Sequence, residues 1–309
     1  MGFFDRFYYG KAGKADYTTE DMPTNRFQLF WEVLRVRFWS LMRLNLMQLV
    51  FWLPLILWTI LNVMGLNAAA EQAAATGADI TNEVMSLLST YLILLIPCIL
   101  ITGPSTAAAT YVARNWARDQ HAFIWSDFKD AFKANWKQGL AISAITSVLP
   151  LMLYVGYTFY GQLSQEYPIA VGAQALLVVA VAVWLLALVF LYPLMVSYEL
   201  RFKTLLRNGL LLAVGRLPFA AAVRLGTAIP FIVMLLTFFL MGNLIGVLVV
   251  VLYYLLIGFS LSRLVCASFA VGIFDKYINP RIPDAPMNMG LRIEDEDDED
   301  EDEADAAQP

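Results

Sequence analysis

The sequence predicts an all-α, polytopic membrane protein: six transmembrane helices joined by amphipathic cytoplasmic connectors. Three observations carry that expectation. The 309-residue chain is 59% hydrophobic with a mean hydropathy of +0.61, against about 45–50% apolar residues in soluble domains. Its apolar residues gather into runs near 44–64, 86–110, 140–160, 171–194, 219–241 and 244–271. Each run suits a helix of about 20 residues, the length that crosses the hydrocarbon core. All 21 Lys and Arg residues fall on one side of these runs. Backbone polar groups must be satisfied internally in lipid, so the runs are read as helices. Period-two alternation is absent, which argues against a β-barrel.

The basic residues set the orientation. Arg6, Lys11, Lys14, Arg26, Arg35, Arg37 and Arg43 precede the first run, and the connection 65–85 has none. Arg114, Arg118, Lys129, Lys133 and Lys137 follow the second run, and 161–170 has none. Arg201, Lys203, Arg207, Arg216 and Arg224 follow the fourth, the turn near Gly242 and Asn243 has none, and Arg263, Lys276, Arg281 and Arg292 complete the set. Cytoplasmic loops retain basic residues, which predicts both termini inside.

Three regions follow: an N-terminal cytoplasmic segment with an interfacial helix (1–43), a six-helix membrane domain (44–275) and a cytoplasmic tail (276–309). Residues 1–25 are polar, charged and turn-rich, without the apolar core of a signal peptide. Met1-Gly2 begins like a myristoylation site, but Arg6 stands where Ser or Thr is required. In 26–43, Phe27, Phe30, Leu34, Phe38 and Leu41 are expected to share a face, with Arg35, Arg37 and Arg43 towards headgroups. The outer stretches 67–83 and QLSQEYP are small and polar, so the outer face is expected to be thin.

The second run holds the densest local pattern, Gly103-Pro104-Ser105-Thr106-Ala107-Ala108-Ala109-Thr110, with Pro97 upstream. Proline bends a helix by removing a donor. Small residues permit close helix approach, and hydroxyls can bond between helices. Pro97, Gly103, Pro104, Ser105, Ala108 and Ala109 are therefore candidates for helix packing or a hinge. The connector 111–139 has room for two short helices. Ser126 and Asp127 suit a helix start, Phe128, Phe132 and Trp136 recur at i, i+4 and i+8, and Trp125 lies one turn earlier. Lys129, Lys133 and Lys137 form the next stripe. This reads as a surface helix with aromatics down, either anchoring to membrane lipid or docking a cytoplasmic protein. Arg114 and Arg118 join the same docking or lipid-binding set. Residues 202–218 form a second basic amphipathic connector.

Arg263 is the one cation well inside an apolar run. Snorkelling to the inner headgroups accounts for it, and pairing with Glu199 is the alternative. Removing the eleven acids of 294–305 from the formal charge of −5 leaves +6, a basic face suited to anionic lipid or an acidic partner. The acidic run itself is predicted to be disordered, because ten adjacent carboxylates repel and bury nothing.

Catalytic constellations are poor. His121 stands alone, and Cys98 and Cys266 lack metal-ligand spacing, so no metal or cofactor is expected. Gly10 to Ala15 lacks the spacing and the Ser or Thr of a phosphate loop. No carboxylate lies mid-span, against an independent proton-driven pump. The basic residues interleave with membrane-facing aromatics, which argues against nucleic acid. The chain is accordingly expected not to be an enzyme.

Residues 96–138, IPCILITGPSTAAATYVARNWARDQHAFIWSDFKDAFKANWKQ, carry a P-x-x-x-x-x-G-P-S turn and a D-F-x-x-x-F-K-x-N-W-K-Q block. In these features the chain resembles the YesL-like family of bacterial integral membrane proteins, a domain of unknown function. The resemblance implies the bacterial inner membrane, six helices and no catalytic residues. Association with carbohydrate ABC importers further implies an accessory role beside a permease or ATPase. A stand-alone small-solute carrier or channel is the alternative expectation.

Overall fold

The computed structural model describes residues 22–77, 79–241 and 244–292, and side chains throughout these except 237–241 and 244–247. The turn at Gly242 and Asn243 and the acidic run lie outside the described residues. In chain order the helices are α1 (Arg26–Val36), α2 (Phe38–Thr76), α3 (Thr81–Leu100), α4 (Thr102–Trp116), α5 (Ile124–Leu163), α6 (Ala170–Ser197), α7 (Phe202–Gly215), α8 (Leu217–Met241) and α9 (Leu244–Tyr253). A π segment, Tyr254–Gly258, then leads into α10 (Phe259–Tyr277), and a 3-10 turn covers Asn279–Arg281. No strand occurs among the described residues. Among the described residues, six helical stretches are long and apolar enough to cross a membrane: α2, α3, α5, α6, α8 and the run from α9 into α10. The all-α membrane architecture expected from the sequence is the one found.

The boundaries differ from those expected, for physical reasons. The first span does not end near 64 but continues as helix to Thr76, where Gly77 closes it in the left-handed conformation at φ 70°. The run of alanines in 67–76 is a good helix former, and Gly is the common residue just past a helix end. The aromatic-aliphatic face expected over 26–43 is also displaced. Phe27 and Phe38 are exposed, and the buried row is Leu29 and Val33, then Leu41 and Leu44. The chain breaks at Arg37, so α1 and α2 are separate helices with separate buried faces.

The second span is likewise two helices, α3 and α4, meeting at Ile101. Pro104 has no N–H for the carbonyl of Leu100, four residues back, and a helix cannot continue regularly past that gap. Ser143 Oγ of α5 donates to this freed carbonyl at 2.7 Å. The other hydroxyls do not bond between helices as expected. Ser105, Thr106 and Thr110 donate to carbonyls of their own helix, at 2.8, 2.8 and 2.7 Å, as buried Ser and Thr do when a backbone carbonyl three or four residues back is the nearest acceptor.

The connector after α4 is the largest departure. Rather than two short helices on the membrane surface, it turns at 117–123 and enters α5, a single 40-residue helix continuous with the third span. Forty residues rise about 60 Å, twice the hydrocarbon thickness of about 30 Å. No Pro or Gly interrupts 124–138 to end a helix before the span begins.

At the centre stands α4, with every residue from Thr102 to Thr110 buried. It packs on α5, α6, α10 and α2. The closest crossing is with α5: a Cβ on Gly103 would lie 2.2 Å from the carbonyl oxygen of Gly139 and 2.3 Å from Ser143 Oγ. Only a residue without a Cβ lets the two backbones meet there.

Candidate functional site

The four basic stretches of the sequence meet at one end of the bundle. Arg26, the first residue of α1 after its cap Asn25, donates to the carbonyls of Ala117 at 3.1 Å and Met289 at 2.8 Å. Its guanidinium also pairs with Asp275 of α10 at 2.5 Å. Arg37 reaches Asp119 at 3.8 Å. Gln138 of α5 donates to the carbonyl of Leu200 at 2.8 Å, and the Arg216 guanidinium lies 4.3 Å over the Tyr277 ring. The backbone N–H of Arg292 closes the arrangement on the carbonyl of Pro23 at 2.9 Å.

A polar chain runs through this basic end. Tyr198 OH donates to Asn279 Oδ1 at 2.6 Å, and Asn279 Nδ2 donates to Asp275 Oδ1 at 2.6 Å. Arg26 completes the chain at the other carboxylate oxygen. Burial drives the Tyr198 phenol up to about 12 against the opposing pull of Arg118 and Arg114, so it remains a donor. Burial also lowers Arg26, and the Asp275 carboxylate offsets this. Beside the chain lies a cavity of about 310 Å³ lined by Arg118, Ser197, Tyr198, Asp275, Asn279 and Pro286 among others. Arg118 reaches the carbonyl of Pro286 at 3.4 Å. The arrangement binds segments of the chain to one another, and no cluster of three or more His, Cys, Asp and Glu residues exists among the described residues.

The candidate docking residues divide into two groups. Phe128 is buried, and Phe132 packs on Phe51 of α2 at 5.4 Å between ring centres. Arg114 is drawn inward too, donating to Asn115 Oδ1 at 3.1 and 2.6 Å and lying 4.8 Å over the Tyr111 ring. Arg118 is half-buried at the cavity. Exposed on α5 remain Trp125 at 72%, Trp136 at 47%, and Lys129, Lys133 and Lys137. The aromatic row thus does not share one face. Each step of four residues advances about 40° around a helix of 3.6 residues per turn, so a row of three turns from core to surface.

Of the packing candidates, Gly103, Pro104, Ser105, Ala108 and Ala109 are buried in α4, whereas Pro97 is exposed on α3. Arg263 donates to Ser262 Oγ at 3.3 Å and does not pair with Glu199, which is exposed.

Sequence reasoning missed Asn45. Fully buried in α2, it donates through Nδ2 to the carbonyls of Tyr254 and Leu255, both at 2.9 Å. Its Oδ1 accepts from the N–H groups of Phe259 at 2.9 Å and Ser260 at 3.1 Å. A π segment displaces the regular hydrogen-bond ladder, and one amide side chain ties the displaced groups. Trp52, two turns on, stacks against Phe259 at 4.8 Å. A polar residue repeated inside an apolar run, Asn45 then Gln48, was the available signal. Its partner lies more than 200 residues away in sequence, which no local pattern reveals.

The fold and its basic end define a helical membrane protein with an internally bonded polar cluster. Residues 80–157 match the family described as Protein of unknown function, DUF624, which bears out the resemblance to the YesL-like family. The chain is also similar to "Uncharacterized protein YesV" of Bacillus subtilis (strain 168), 31% identical over 115 residues. That match covers 37% of this chain and 54% of the relative, so the chain spans about half the length of the curated relative it matches. No solved structure matches this chain.

Proposed function

We propose that this chain is a non-enzymatic protein of the bacterial cytoplasmic membrane, with both termini inside, that docks a cytoplasmic or membrane partner at its basic end. The observation that carries the reading is α5. The helix leaves the span unbroken and exposes Trp125, Lys129, Lys133, Trp136 and Lys137 on a rigid support. Its buried residues Phe128 and Ala131 lock that support to the core. Exposed lysines beside exposed tryptophans suit an acidic partner with an apolar patch, since aromatic residues are the usual interface anchors. The resemblance to the YesL-like family supports the permease or ATPase of a carbohydrate ABC importer as that partner.

The test is affinity capture from native membranes with identification of the captured proteins. Wild type is expected to bring down an importer subunit. The combined change of Lys129, Lys133 and Lys137 to Gln with Trp136→Ala is expected to lose it while membrane yield is unchanged. Capture undiminished by those four changes would remove α5 as the docking element. Solute uptake by the purified protein alone in vesicles would favour a carrier instead.

A further inference from the structure

Ser197, the last residue of α6, departs from the other buried hydroxyls. Ser105, Thr106 and Thr110 each donate to a carbonyl of their own helix. The Ser197 Oγ is buried and has no hydrogen-bond partner among the described residues. A buried hydroxyl without a partner is costly, and native folds contain few of them. Ser197 lines the cavity of about 310 Å³ beside the Tyr198–Asn279–Asp275 chain. That volume lies at the lower end of the range of about 300–1,000 Å³ for small-molecule sites.

Arg118 lines the same space with most of its bonding capacity unused. A guanidinium carries five N–H donors. Among the described residues, the only side-chain hydrogen bond of Arg118 runs to the carbonyl of Pro286 at 3.4 Å, beyond the usual N–H···O length of about 2.7–3.2 Å. The main chain of Arg118 is nevertheless fixed. Gly290 crosses it at φ 78°, and a Cβ there would lie 2.7 Å from Asp119 Cβ and 3.1 Å from the carbonyl carbon of Arg118. The other polar groups of the lining are already committed. Tyr198 OH donates to Asn279 Oδ1, and the two oxygens of Asp275 accept from Asn279 and Arg26. Two donors are left over at the cavity, a guanidinium and a hydroxyl.

We infer that this cavity is a binding site for a small organic carboxylate, held at its charged end by Arg118 and Ser197. The guanidinium fork matches a planar carboxylate with two parallel hydrogen bonds. The Ser197 hydroxyl supplies a further donor. Val271, Phe274, Ile282 and Ala285 in the lining suit an apolar body attached to that carboxylate. The same lining opposes a doubly charged phosphate, because Asp275 and Asp284 also belong to it. Asp275 has its charge answered by Arg26. Asp284 is exposed, as are Ile282 and Pro283, so this wall of the cavity meets solution. The site is separate from the exposed row of α5 and does not depend on that row docking a partner.

The experiment is equilibrium dialysis of the full chain in detergent against radiolabelled benzoate, and separately isobutyrate, with the same detergent in both chambers. Wild type is expected to bind at least one of these probes saturably at one site. Arg118→Gln should weaken that binding about tenfold or more, and Ser197→Ala about threefold. Arg118→Lys, which keeps the charge and loses the fork, should fall between wild type and Arg118→Gln. Lys137→Gln, on the exposed row of α5, should leave binding unchanged. Saturable binding of neither probe overturns the proposal and leaves the cavity a water-filled gap. Competition by benzyl alcohol as strong as by unlabelled benzoate also overturns it, since the site would then read only the apolar ring. Displacement of the probe by an equal concentration of inorganic phosphate would overturn the assignment to an organic carboxylate. Should Arg118→Gln fail to fold, Ser197→Ala decides alone, because it removes a hydroxyl that bonds to no other described group, and wild-type affinity in that variant overturns the site.

Discussion

α4 and the middle of α2 invert the rule that works for soluble proteins. α4 is among the less apolar helices of the chain, with Gly, Ser, three Thr and a run of Ala, yet it is the most buried. The middle of α2 is rich in Leu, Ile, Trp and Met, yet Leu57, Leu61 and Met64 are exposed. In water, apolarity drives residues inward. In lipid, a leucine gains nothing by leaving the acyl chains, so the helix that packs best takes the centre. Smallness, rather than apolarity, marks the helix at the centre, with Phe190, Leu191 and Leu194 of α6 among the large side chains buried around it.

The sharpest way to break that comparison is at Gly103. Its backbone touches that of Gly139, with no room for a Cβ. Gly103→Leu is expected to cost at least the upper end of the about 1–3 kcal/mol typical of overpacking, because backbone rather than a flexible side chain must move. Thermal denaturation in detergent should register a large fall in Tm or loss of monodisperse protein. A wild-type melting curve would show that the α4–α5 crossing is not close.

Asn45→Leu is expected to come next. The change puts an apolar side chain in place of the amide and leaves two carbonyls and two N–H groups of the π region without their partner. A buried group left unsatisfied costs about 1–3 kcal/mol, and rearrangement of the segment towards regular helix recovers part of it. The same melting assay reads the loss. Asn45→Asp, which keeps one acceptor pair, tests whether the N–H groups of Phe259 and Ser260 matter more than the carbonyls.

The comparison also explains what was legible in the sequence. The six spans and the basic side were readable because apolar length and charge position are properties of single segments. The small-residue run over 103–110 was recognisable as a packing element for the same reason. The connector was misjudged because 124–138 carries the same periodicity whether its helix lies on a membrane or continues into the next span. What separates the two is the absence of a breaker before Gly139 and the burial of Phe128 against α2 and α4. The polar chain Arg26–Asp275–Asn279–Tyr198 and the Asn45 clasp were invisible because each joins residues far apart in the chain. Among the docking candidates, Arg114, Arg118, Phe128 and Phe132 could be told from their exposed neighbours only by what they pack against.

Ala109→Leu measures the packed side at a position of full burial. It should cost about 1–3 kcal/mol, less than Gly103→Leu because Ala109 already carries the Cβ for which Gly103 has no room. Unchanged melting would mean that this side of α4 faces lipid.

The smallest effect is expected where the residues are most apolar. Leu57→Ala, Leu61→Ala and Met64→Ala remove several methylene groups each, and in a soluble core each such truncation costs about 2–5 kcal/mol through lost transfer energy and the cavity left behind. Neither contribution applies on a lipid-facing surface, since acyl chains fill the space and the transfer is from one hydrocarbon to another. Leu61 is 59% exposed, and its truncation should fall within about 0.5 kcal/mol, as surface changes do. Melting of the triple variant in detergent is the measurement, run beside Ala109→Leu under the same conditions. A drop as large as that of Ala109→Leu would mean that this face of α2 is covered by protein, and the same variant examined by size-exclusion chromatography would then reveal whether a second copy of the chain is what covers it.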